Sequence, residues 1–130
     1  MDAQQELFTR VKLDLEAIPH AVYDTFLPPD GTPYPFDYLG DFRQNNSFTV
    51  KSGTTGTVYA TIHVWHNDPG QRGTVSKLIQ EVCAVCTAIR HTDSYAWHVQ
   101  SLDNQIIPDT TTKTPLLHGV IEAAFKFSRR

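Results

Sequence analysis

The sequence has no cluster of basic residues. Its lysines and arginines are scattered, and the only adjacent pair is Arg129-Arg130. With a formal net charge of −3, this argues against nucleic acid as the main partner, because neutralising phosphates takes a concentrated basic face. Long apolar runs are missing too. None approaches the roughly 20 residues that span a bilayer. The opening Met1-Asp2-Ala3-Gln4-Gln5-Glu6 is acidic and polar, the opposite of a secretory signal. The expectation is a chain made inside the cell, with no membrane partner. Cysteine is scarce. Cys83 and Cys86 stand three apart and build no disulfide framework. There is no phosphate loop, since Gly53 and Gly56 are followed by neither lysine nor a helix start. No serine sits in a nucleophile elbow.

What is present is enough for one folded domain. At 130 residues the chain matches a single domain over 1–130. Hydrophobic residues make up 40% and charged residues 19%, a globular rather than a disordered balance.

The chain opens on a helix. Asp2 is placed to cap it, with Gln5 as capping-box partner. Leu7, Phe8, Val11, Leu15 and Ile18 recur at helical spacing, and Pro19 ends the run. His20 to Asp24 reads as a short strand. A Pro/Gly turn region follows, and Pro33-Tyr34-Pro35 is extended by its two prolines. Phe36 to Phe42 reads as a strand with Gly40 as a bulge. Asn45-Asn46-Ser47 reads as a turn, Phe48 to Lys51 as more sheet, and Ser52 to Gly56 as a loop.

Val58 to Trp65 is the clearest strand. Val58, Ala60, Ile62 and Val64 alternate with Tyr59, Thr61, His63 and Trp65. One face is aliphatic and belongs in a core. The other is aromatic and suits a half-wet surface or an interface. A second helix is expected with Asp68 as N-cap, Pro69 at N1 and Gln71 at N3. Its stripe is Val75, Leu78, Ile79, Val82, Val85, Cys86 and Ile89. Tyr95 to Ser101 is a strand, extendable to Ile107. Pro108 to Pro115 is a polar hairpin loop. Leu116 to Ser128 is the last strand, with Ile121, Ala123, Phe125 and Phe127 on one face. The order α-β-β-β-α-β-β predicts an α+β fold, a mainly antiparallel sheet with two helices on one face.

Candidate chemistry is thin. The Cys83–Cys86 pair lies inside a helix, where the dipole that activates redox thiols has decayed, so it reads as core packing. The six histidines suggest a metal, with His63, His91, His98 and the cysteines as candidate ligands. No spacing brings them together, and they read as ordinary strand and surface residues. Asp37 and Asp41 flank Gly40 without forming an acid/base pair. The expectation is a protein without catalytic residues, cofactor or metal. Trp65 has two readings, closing the core where strand meets helix or anchoring an interface. The polar stretches at 43–57 and 108–115 are long for hairpin loops and suit gripping a neighbour. The candidate interface set is therefore Asn45, Asn46, Tyr59, Trp65, Asp109, Thr110, Thr111, Thr112 and Lys113.

Several of these motifs occur in one order. They are the opening helix, Ala21-Val22-Tyr23-Asp24, Pro33-Tyr34-Pro35-Phe36 leading to Gly40-Asp41, the strand ending Ile62-His63-Val64-Trp65 before a helix, and a Thr-rich loop leading into a strand, Thr112 to Gly119. In this the chain resembles the tail-completion proteins of long-tailed bacteriophages, the tail-terminator and head–tail joining group. His66 departs from the serine usual there. The resemblance implies a non-enzymatic virion protein assembled in the host cytoplasm. It implies a ring, usually of six copies, that ends the tail tube and docks the tail to the head connector. DNA would pass through its lumen without specific binding. The alternative is a small cytoplasmic metal-binding or redox domain.

Overall fold

A computed structural model describes residues 2–24, 28–47 and 55–130. Seven elements follow in chain order: α1 (Ala3–Ala17), β1 (Val22–Asp24), β2 (Phe36–Asn46), β3 (Thr55–His66), α2 (Arg72–Ala88), β4 (Tyr95–Asp109) and β5 (Leu116–Arg129). The strands form one sheet in the order β1-β2-β3-β5-β4. Among the described residues, only the β1–β2 pairing is parallel. This is the expected α+β order, with both helices on one face of the sheet.

The hydrophobic pattern builds the core directly. Leu7, Val11 and Leu15 recur every four residues of α1 and are fully buried. Val75, Ile79, Val82 and Cys86, at spacings of four, three and four, are the buried stripe of α2. Both stripes lie on Val58, Ala60, Ile62 and Val64 of β3 and on Ile121, Ala123 and Phe125 of β5. Each buried Val, Leu, Ile or Phe among them contributes about 1.5–3 kcal/mol by leaving water. Gly119 of β5 lets α2 come close, since a Cβ there would sit 2.8 Å from Ile79 Cδ1.

Asp2 caps α1, its Oδ1 accepting from the Gln5 amide at 2.8 Å. Gln5 turns its side chain along the helix, Nε2 donating to the Thr9 hydroxyl at 3.2 Å. The start of α2 differs from expectation. Asp68-Pro69-Gly70 closes a turn of its own, with the Gly70 amide on Asp68 Oδ1 and the Gln71 amide on the Asp68 carbonyl. The helix therefore begins at Arg72, with Gln71 as N-cap and no side-chain cap.

Asn45 and Asn46 differ as well. They form no turn but extend β2, pairing with Thr57 and Gly56. Gly56 makes this possible, because a Cβ there would run into the Asn45 carbonyl oxygen. Gly40 lies in the irregularity between Leu39 and Phe42, as the sequence suggests. At the other hairpin β4 runs through Pro108 to Asp109, leaving 110–115 as the connection. The strand expected at Phe48 to Lys51, and most of the loop expected after it, lie outside the described residues.

Candidate assembly surface

Alternation sends the odd residues of β3 to the face away from the helices. Val64 is fully buried, whereas Tyr59 is 40% exposed. That face carries a row of rings across three strands. Trp65 pairs with His118 of β5, and the two rings lie face to face, 3.8 Å apart and 6° from parallel. His118 Nε2 is 2.6 Å from His63 Nδ1. Their centroids are 4.9 Å apart with 22° between planes, so the two imidazoles meet end to end. Tyr38 of β2 continues the row beside His63. Further along the face, the Arg43 guanidinium sits 4.4 Å over the Tyr59 ring, a cation–π contact.

The end-to-end contact needs one nitrogen to donate and the other to accept. Protonating both rings would break it. Burial and the neighbouring His63 accordingly push His118 down to about 4, and burial holds His63 below the ordinary histidine value. At neutral pH the row is uncharged.

Trp65 therefore stands on the open face and does not close the core. Its Nε1 is buried and has no hydrogen-bond partner among the described residues. It also floors a groove of about 420 Å³. One wall is the Pro28–Tyr34 stretch, where Gly31 at φ +87° allows a turn closed by the Thr32 amide on the Pro29 carbonyl. The other wall is Asp109 and Thr112. Asp109 Oδ1 accepts from the amide and hydroxyl of Thr111, which shapes that connection.

The candidate interface residues thus fall in three places. Trp65, Asp109 and Thr112 share the groove, with exposed Thr110, Thr111 and Lys113 in the same connection. Tyr59 lies on the open face. Asn45 and Asn46 are exposed at the far end of β2. His118 joins this surface without any signal in the sequence. Its position opposite Trp65 depends on a strand register, which spacing does not reveal.

A second cluster is equally silent in the sequence. His20 is held between Asp37 and Glu81, 2.6 Å and 2.9 Å away. It joins the end of α1, the start of β2 and α2 beneath the sheet. The His20 ring is 5% exposed and Asp37 1%, while Glu81 is 40% exposed, so a buried His–Asp pair is closed at the surface by a half-exposed carboxylate. Of the Cys pair, Cys86 is buried and Cys83 half-buried. Cys86 is pushed up to about 12 by burial and the adjacent Cys83, and burial raises Cys83 too. Among the described residues, no three His, Cys, Asp or Glu side chains group to hold a metal ion.

No protein-family model and no curated protein sequence matches the chain. Solved structures do. A chain from the virion of a native gene transfer agent particle superposes with a TM-score of 0.62 at 14% identity, covering 98% of this chain and 93% of that one. The likeness is one of fold. A second solved chain matches with a TM-score of 0.57 at 12% identity, over 97% of this chain and 92% of its own length. Both matches run nearly end to end, so the likeness covers the whole fold.

Proposed function

We propose that this chain is a structural protein of a phage-like particle, a ring-forming subunit at the tail end or head–tail junction. The observation that carries this reading is the end-to-end likeness to a chain of a gene transfer agent virion. The exposed surface suits the role. A sheet with helices on one face only leaves a broad second face of rings and mixed charge, with a groove at one end. Such a domain presents different patches to different neighbours, which a ring with two docking sides requires.

In this reading six copies close a ring on the tail tube, stop its growth and offer the opposite side to the head connector. The mildly acidic chain repels the DNA that passes through the lumen. The alternative, a metal-binding or redox domain, has only two facing imidazoles and two thiols held away from the reactive thiolate. Adding the purified chain to polymerising tail tubes tests the proposal. Tubes capped at one end and halted in length support it. Tubes that grow unchanged, with no bound chain, contradict it.

A further inference from the structure

The two edges of the sheet are left open in a complementary way. β1 covers β2 only at Asp37, Tyr38 and Leu39. From Gly40 to Asn46 that edge has no strand beside it among the described residues. Helix α1 meets this part of β2 from the core side only, through Phe8 on Phe42 and the Gln4 amide on Gln44. On the other side β4 is the edge strand. A single bridge, His91 to Ala96, covers its start, and His98 onward has no second partner among the described residues.

The open stretches also lie at one level. Leu39 connects through Ile62 and Ile121 to Asn104, and Asn46 connects through Gly56 and Phe127 to Trp97. β2, β3, β5 and β4 alternate in direction, so β2 and β4 run oppositely. A second copy rotated about an axis along the strands would set its β2 beside this β4 in antiparallel sense. The alternation continues unbroken. The contact is heterologous and repeats, as ring closure demands. Unpaired edge groups supply its backbone hydrogen bonds.

We infer that copies join by sheet continuation, the β2 edge of one pairing antiparallel with the β4 edge of the next, Arg43 facing the neighbour's Asp103. Charge selects this register. Asp41, Arg43 and Asp103 all border one hollow. Level pairing would set Asp41 near the neighbour's Asp103, which repels. A two-residue offset sets Arg43 against Asp103 and Asp41 against uncharged Gln105. It also brings Asn45 opposite Ser101. Cross-strand pairs of opposite charge stabilise such a ladder, and like pairs oppose it.

This inference rests on the ring reading and is tested by disulfide trapping. Asn45→Cys and Ser101→Cys are made separately, both at exposed positions, and oxidised under mild conditions alone and mixed. The expected result is a cross-linked dimer only in the mixture. The double variant should give a ladder of oligomers. Cross-linking of Ser101→Cys alone would indicate a twofold β4–β4 contact and overturn the inference. So would assembly, seen by light scattering, with no cross-link in any sample; the ring reading would then survive. If neither assembly nor cross-linking occurs, both fall. The double swap Arg43→Asp with Asp103→Arg should restore assembly that each single change reduces, and failure to restore it contradicts the register.

Discussion

Nδ1 of His20 lies 2.6 Å from Oδ2 of Asp37, while Nε2 of the same ring faces Glu81. Both nitrogens must carry hydrogen to serve both carboxylates, so the arrangement selects the imidazolium. The Asp37 hydrogen bond raises the His20 pKa above the ordinary value and outweighs burial. A histidine raised on folding binds its proton more tightly in the native state. Its stabilisation is complete below about pH 6.5 and is lost as pH rises through the raised value. Urea midpoints should therefore fall from neutral into mildly alkaline pH. His20→Ala should remove that slope and cost about 3 kcal/mol, because it strands a buried carboxylate.

The His63–His118 contact has the opposite sign. Burial and the facing ring depress the His118 pKa to about 4. A depressed histidine contributes stability above its unfolded value and loses it as pH falls through the folded one. Stability should drop between about pH 6.5 and 4. His118→Gln should flatten that loss. Because Trp65 stacks on His118, its fluorescence in the folded chain should change near pH 4, where His118 takes up its proton, in the parent and not in the variant.

Two glycines make opposite predictions. A Cβ at Gly56 would meet the Asn45 carbonyl oxygen and sit 2.8 Å from the Phe127 ring, so Gly56→Ala should destabilise by about 1–3 kcal/mol. Gly73 is in the first turn of α2 with open space around it. Gly73→Ala should stabilise by about 0.5–1 kcal/mol. Thermal melts of the two variants check both signs.

The thiols should be inert in the folded chain. Burial raises both, Cys86 to about 12, so little thiolate exists at neutral pH. A chromogenic disulfide reagent should titrate them slowly until denaturant is added. Fast reaction of Cys83 in the native state would reopen the redox alternative.

Much of the fold is legible where local pattern and tertiary demand agree. The alternation of Val58 to Trp65 gives both faces of β3, and Asp2 with Leu7, Val11 and Leu15 gives α1. Errors arise where a local preference is overruled. Asn45-Asn46 has the composition of a turn, but Gly56 lets the partner strand approach and the ladder wins. Asp68-Pro69 has the composition of a helix start, but Asp68 spends its carboxylate on Gly70. The surface is half legible. Alternation places Tyr59 and Trp65 together, whereas His118 enters only through register, 55 residues from His63. The His20 cluster spans separations of 17 and 61 residues, and no short motif announces it.

The proposed function requires that this chain closes into a ring. Light scattering during size exclusion, over a wide concentration range and followed by negative-stain imaging, tests it most directly. A ring-forming subunit should give a closed oligomer with a central hole, of about six copies, populated as concentration rises or when tail tubes are added. A species that stays monomeric throughout, with tubes and connectors present, would contradict it.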